Sequence, residues 1–282
     1  MSRPSFAIST HLYHDHPLSR DHLVEIAAHG FESVELFANR PHLAYESAAA
    51  IQTLQEALQD TGLRVHALHA PIAGALQGGQ WTAPYSIAAG KEPARGHAVS
   101  EVLASLDMAR RVGAGTLVVH LGVPDGQRPS PDDNSEAAAR RSIEELHAAA
   151  EIAGVRLALE VMPNRLSAAE RLVAWIEEDL ELADVGICLD FGHAHLAGDV
   201  VDAVETVSGH LLTTHVHDNH GRADEHLLPF EGGIPWEAVL MAVQKVGYDG
   251  PLVFELAGSS APRQVLERAQ RVRARFESML TW

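Results

Sequence analysis

The chain has 282 residues, 46 % hydrophobic and 21 % charged, an ordinary globular composition. Its 21 Lys and Arg stand against 38 Asp and Glu, a formal net charge of −17, so a broad basic face for a nucleic-acid backbone is not expected. Cys188 is the single cysteine, which excludes an internal disulfide and suits a reducing, cytoplasmic setting; Met1–His11 lacks the pattern of a secretory leader, and no apolar run reaches about 18 residues, so no membrane association is expected.

In chain order, short β-branched or apolar runs alternate with Ala/Glu/Arg-rich stretches of helical period. The runs are Phe6–Ser9, Ser33–Phe37, Arg64–His69, Thr116–Leu121, Arg156–Val161, Val185–Asp190, Leu211–His217 and Leu252–Glu255. Between them the periodicity predicts helices over 20–29, 47–60, 96–112, 135–153, 167–178, 199–208, 235–247 and 261–279. Asp21 and Ser135 suit helix N-caps, and Gly30, Gly62, Gly113, Gly154 and Gly247 follow helical stretches, where a left-handed cap belongs. Eight strand–helix units without a linker predict α/β architecture, a single (β/α)8 TIM barrel spanning 1–282. A doubly wound open sheet is the alternative, but its Gly-rich first turn is absent.

Barrel function gathers where strands end and loops begin. The second run contains Glu35; the third to eighth end in or beside His69, His120, Glu160, Asp190 with His193, His215 with His217, and Glu255. Alternation sets residues two apart on one face. Two positions before the polar ends stand Ala67, Val118, Ala158, Cys188, Thr213 and Val253, small or β-branched as a crowded interior prefers. Leu68, Val119, Leu159, Leu189, Val216 and Phe254 then face the helices, and the acids and imidazoles converge on the mouth. Carboxylates gathered in a cleft repel, and the runs offer few Lys or Arg to pair with them, since Arg64 and Arg156 begin theirs. Divalent metal resolves the repulsion, and a His/Asp/Glu mixture suits Zn2+ or Mn2+ better than Mg2+; proton sharing among carboxylates is the alternative.

At these residues the chain resembles the xylose isomerase-like TIM-barrel superfamily, which includes sugar phosphate isomerases/epimerases, ketose 3-epimerases and endonuclease IV. The motifs are His69-Ala70-Pro71, Val119-His120-Leu121-Gly122, Leu159-Glu160-Val161-Met162-Pro163-Asn164 and Leu189-Asp190-Phe191-Gly192-His193-Ala194-His195. They continue with His215-Val216-His217-Asp218-Asn219, Asp224-Glu225-His226 and Phe254-Glu255-Leu256, and Glu231–Trp236 is similar to the family's loop before its last helix. Two ligand patterns follow from the resemblance. The ketose epimerase pattern implies one metal, as a single Mn2+, on Glu160, Asp190, His215 and Glu255, with Glu160 and Glu255 exchanging the proton beside a carbonyl. The endonuclease IV pattern implies three zincs on His69, His120, Glu160, Asp190, His193, His215, Asp224, His226 and Glu255. All nine positions have a counterpart, so two or three Zn2+ or Mn2+ per chain are expected first. The loop Asn219–Phe230 is longer than in simple ketose epimerases, its Asp224 and His226 favour extra ions, and Phe230 stands where a glycine is usual. The opening Ser9–His16 is unlike that of endonuclease IV.

The expected activity is a metal-dependent isomerase or epimerase of a sugar, sugar phosphate or related carbonyl compound, with Glu160 and Glu255 as acid and base. The alternatives are a multi-zinc phosphoester hydrolase of endonuclease IV type, for which nucleic acid would be the partner, and a non-catalytic barrel that has kept its metals. Barrels of this kind often pair, so a homodimer is expected. His11, Tyr13, Arg40, Trp81 and Tyr85 are candidate substrate walls by position. His195, His217 and Asp218 are expected to orient ligands rather than bind metal. Glu35 suits substrate binding or a bond to a neighbouring strand, Cys188 is a buried spacer, and Arg222 is a solvated loop residue. His66, His97, His147 and His210 read as structural or surface histidines, and His29 as a helix C-terminal residue.

Overall fold

The computed structural model describes residues 5–77, 80–125, 132–180, 182, 184–258 and 261–280. In chain order its strands are β1 (Phe6–Ser9), β2 (Ser33–Phe37), β3 (Arg64–His69), β4 (Ala73–Gln77), β5 (Gln80–Pro84), β6 (Thr116–Val119), β7 (Arg156–Glu160), β8 (Gly186–Asp190), β9 (Leu211–Val216) and β10 (Leu252–Phe254). The helices among the described residues are α1 (Arg20–Ala28), α2 (Ala48–Thr61), α3 (Glu92–Val112), α4 (Glu136–Ala153), α5 (Ala169–Ala174), α6 (Phe191–Ala197), α7 (Val200–Thr206), α8 (Trp236–Lys245) and α9 (Pro262–Met279). Eight strands close a parallel barrel in the order β1-β10-β9-β8-β7-β6-β3-β2, while β4 and β5 form a separate antiparallel hairpin. The (β/α)8 architecture is as the sequence predicts. No helix among the described residues is long and apolar enough to cross a membrane.

The alternation holds inside the barrel. Ala67, Val118, Ala158 and Cys188 pack together as a small interior layer. Leu68, Val119, Leu159, Leu189, Val216 and Phe254 belong to the large core between barrel and helices. Small side chains in the interior layer leave room above them for the longer acids and imidazoles at the mouth.

Four local features depart from the sequence reading. The cap of α1 is Ser19, not Asp21: Ser19 accepts the His22 amide, and the Ser19 amide donates to the His22 ring, so Asp21 falls inside the first turn. The helix expected over 167–178 shortens to α5 and widens at Trp175–Asp179, where five-residue spacing replaces four. The β4–β5 hairpin and α6 lie outside the eight strand–helix units that the periodicity predicts. That helix exists because Asp190 ends β8 and immediately caps the next turn, accepting the His193 amide at 2.7 Å.

Candidate metal centre at the barrel mouth

Glu160, at the end of β7, organises the inner cluster. Its Oε2 lies 3.0 Å from Nε2 of His69, at the end of β3, and 3.0 Å from Nε2 of His120, just beyond β6. Its Oε1 faces the other way, 3.3 Å from His193 Nδ1 and 3.4 Å from His215 Nδ1. His215 Nδ1 also lies 3.6 Å from Asp190 Oδ2 and 3.4 Å from Glu255 Oε2, yet it is buried with no hydrogen-bond partner among the described residues. One donor atom from each of Glu160, Asp190, His215 and Glu255 falls within 4.8 Å of the rest, as do donors of His69, Glu160 and His215. The other His215 nitrogen, Nε2, lies 3.1 Å from Glu35 Oε2, and both side chains are fully buried. Glu35 therefore sets the imidazole so that Nδ1 faces the three carboxylates, and it has no surface open to a substrate.

A second group flanks the first. Asp224 Oδ2 accepts from His193 Nε2 at 3.2 Å and from His226 Nε2 at 3.1 Å. The far nitrogen of each ring is held by a backbone carbonyl, His193 Nδ1 by Val161 at 3.1 Å and His226 Nδ1 by Glu255 at 3.0 Å. A backbone partner for one nitrogen fixes the ring and presents the other, the usual support of a metal-binding histidine. His217 Nε2 reaches Asp190 Oδ2 at 3.0 Å and lies 3.8 Å from Asp224 Oδ1.

Burial would raise the Glu160 and Asp190 carboxyls, but surrounding imidazoles outweigh it: His120, His215 and His193 hold Glu160 well below the carboxylate range, and His193, His217 and His215 lower Asp190. Conversely, burial opposes charge on His193 and His215, but Asp190 and Asp224 beside the first, and Cys188 with Glu255, Glu35 and Glu160 beside the second, overcome it and raise both well above the ordinary imidazole value. His226 is raised to about 10 against its burial, chiefly by Asp224. Without a cation the cluster thus balances its acids with protons on histidine. A divalent ion entering such a site displaces those protons, so binding weakens as pH falls.

A family model described as xylose isomerase-like TIM barrel matches residues 23–278. The chain belongs to that family. An uncharacterized protein of Sinorhizobium fredii is 27 % identical over 257 residues, covering 82 % of this chain and 80 % of that protein. A D-tagatose 3-epimerase-like protein superposes with a TM-score of 0.81 at 24 % identity, covering 98 % of both chains. D-psicose 3-epimerase, solved in the presence of D-fructose, gives 0.76 at 18 % identity over 98 % of this chain and 99 % of its own. The IOLI protein with a bound zinc atom gives 0.78 at 17 % identity, with the same coverage. At these identities the structures share the fold of this xylose isomerase-like barrel, and two of the three carry epimerase names.

All nine residues of the larger ligand pattern converge at the mouth of this xylose isomerase-like barrel. Other expectations need correction. Asp218 does not touch the cluster: it accepts from the amides of Asn219, Phe230 and Ile234 and from the Trp236 indole, and so folds the loop before α8. His195 lies on α6 against the same loop, its ring beside Gly221 and Gly233. Tyr13 is turned away, donating to Glu25 at 2.8 Å, and Arg40 is engaged by Glu101 at 2.8 Å and Glu46 at 2.9 Å. Neither lines the cleft, whereas His11 and Tyr85 do; the Trp81 side chain lies outside the described residues. Phe230 has φ +74°, which explains why glycine is usual there. A non-glycine residue in that region costs about 1–3 kcal/mol, which contacts of its ring with Arg275 and Phe276 help offset.

The four histidines assigned a structural or surface role fit it: His66 bonds Thr213, His147 bonds Asp184, His210 bonds Glu177, and His97 is exposed beside Tyr85. His29 caps the end of α1 through the Glu25 carbonyl. His217, two residues after His215, shares its inward face, and its bond to Asp190 Oδ2 fits the orienting role expected of it; its nearness to Asp224 and His226 also makes it a possible donor.

Proposed function

We infer that this chain is a divalent-metal-dependent isomerase or epimerase of a sugar-like carbonyl compound, its residues 1–282 working as one cytoplasmic domain. The observation that carries the reading is the inner cage. Glu160, Asp190 and Glu255 surround an imidazole nitrogen that is fully buried and has no hydrogen-bond partner among the described residues. A buried polar atom left without a partner costs about 1–3 kcal/mol, and a cation that displaces the proton supplies the missing partner while relieving repulsion among the acids. Nitrogen and carboxylate donors together suit Zn2+ or Mn2+.

When bound, the cation would polarise a carbonyl and the adjacent hydroxyl as a Lewis acid. Glu160, Asp190, His215 and Glu255 would hold it, with Glu35 orienting His215. Glu160, ending β7, and Glu255, just past β10, both reach the cage and would pass a proton from and to the carbon beside the carbonyl. Phe37, Ile72, Pro84, Val123 and Met162 give the cleft an apolar wall that limits water, and its described lining contains no Lys or Arg. Such a lining suits a small neutral polyol, and the epimerase names of the structural neighbours point the same way.

The second reading, a multi-metal phosphoester hydrolase, is favoured by one observation: the separate His217, Asp224 and His226 group offers further donors. Elemental analysis of protein purified without added metal, beside assays on ketoses and on abasic duplex DNA, tests both. The expected result is at least one bound divalent ion per chain and metal-stimulated turnover of a ketose, lost in Glu160→Gln. Absence of bound metal after incubation with zinc and manganese would overturn the reading, and cleavage of the duplex without ketose turnover would select the second.

A further inference from the structure

We propose that His217 is the fourth donor of an outer cation site formed with His193, Asp224 and His226, and that this site is closed and locks the loop over the barrel rather than activating water. The proposal rests on the metal-dependent reading above but concerns a different group of atoms from the inner cage.

The imidazoles of His193 and His226 already present Nε2 to Asp224, their far nitrogens held by carbonyls. His217 joins this group: one atom each of His217, Asp224 and His226 lies within 4.8 Å of the others, and His193 Nε2 lies 3.2 Å from the same Asp224 carboxylate. Its position is built into the fold. A Cβ on Gly192 would lie 1.9 Å from His217 Cε1, so the Asp190–His193 turn leaves space for this ring by having glycine there. The His217 and His226 rings stack with centroids 4.1 Å apart, and His217 Nε2 lies 3.8 Å from Asp224 Oδ1. Two stacked imidazoles aimed at one carboxylate suit a shared cation better than a shared proton.

Three imidazoles and one carboxylate fill a tetrahedral ion's coordination, the pattern of a structural site, whereas a catalytic ion keeps a position open. The ion would tie α6, the end of β9 and the 219–230 loop together. The loop contributes Asp224 and His226, and His226 is held at φ +45°, a conformation a non-glycine residue keeps only under external restraint.

The competing role is a bond from His217 Nε2 to Asp190 Oδ2, and the test separates them. Wild type, His217→Gln and Asp224→Ala are loaded with zinc, freed of excess, and compared by metal per chain and by chelator competition; unfolding of the metal-free proteins checks the fold. Glutamine keeps an N–H for Asp190 but offers no imidazole nitrogen. Asp224→Ala is expected to lose one ion, and His217→Gln to lose the same ion or bind it about tenfold to hundredfold more weakly. With Co2+ at this site, the tetrahedral absorption of wild type should give way in His217→Gln to the weaker bands of higher coordination. Unchanged content, affinity and spectrum in His217→Gln, with an ion lost in Asp224→Ala, would reduce His217 to a partner of Asp190 and overturn the proposal. A wild-type complement in Asp224→Ala would also overturn it by removing the outer site. The inner-cage reading would survive that result, and it fails separately if Glu160→Gln leaves metal content unchanged.

Discussion

Removing the Glu35 carboxylate tests how the inner cage is held. His215 Nε2 and Glu35 Oε2 are 3.1 Å apart with no solvent at either side chain, so the bond between them is charge-assisted and unscreened. A bond of that kind contributes about 1.5–3 kcal/mol net. Its loss frees the imidazole to rotate, and Nδ1 no longer faces Glu160, Asp190 and Glu255. Loss of a group that orients a ligand typically costs about 10–100-fold in metal affinity, which is about 1.4–2.7 kcal/mol and agrees with the bond estimate. Glu35→Gln should sit at the mild end, because an amide oxygen still accepts from Nε2–H. Glu35→Ala should sit at the severe end, because it also leaves a cavity. Zinc affinity is read by competition with a chromophoric chelator at fixed pH, with metal-free urea unfolding as the control for general destabilisation. Zinc affinity within twofold of wild type in both variants would refute the orienting role of Glu35.

Gly192→Ala should displace the His217 ring, since the new Cβ overlaps it; destabilisation of about 1–3 kcal/mol by urea unfolding is expected, and a neutral result would mean the ring does not occupy this place. Asp218→Ala leaves three amides and the Trp236 indole without their acceptor, so a loss of about 3 kcal/mol or more is expected, with faster proteolysis in 219–235; unaltered cleavage would show that Asp218 does not organise the loop. His42 is buried and its pKa is pushed down to about 4, chiefly by that burial. The unfolded imidazole therefore takes up a proton first as pH falls below about 6.5, and folding stability drops from there towards pH 4. The stability advantage of wild type over His42→Gln should shrink by about 2 kcal/mol between pH 7.5 and 5, and a constant difference would contradict the assignment.

Much of the molecule was legible because two periodicities are local. Alternation along Arg64–His69 or Arg156–Glu160 already states which side chain faces the interior, and small residues two positions before each polar end agree with it. Residue type and face bring His69, His120, Glu160, Asp190, His215 and Glu255 to one rim, whereas His193, Asp224 and His226 enter the nine-residue pattern through the resemblance to endonuclease IV; the same alternation sets His217 beside His215 without showing that its Nε2 meets Asp190. Features that depend on a partner distant in the chain were not legible. The sequence does not show that Asp218 serves amides as far away as Ile234, or that Arg40 is engaged by Glu101, because nothing local distinguishes these side chains from site residues.

The sequence by itself determined the eight-unit barrel and the set of acids and imidazoles at its rim, since strand alternation and helical period are written residue by residue. Only the tertiary structure decided how those groups face one another: that Glu160 divides its two oxygens between different histidines, that Glu35 turns His215, and that His217 has a place cut for it by Gly192. Orientation belongs to contacts between strands that meet only when the barrel closes, and no single stretch of chain encodes it.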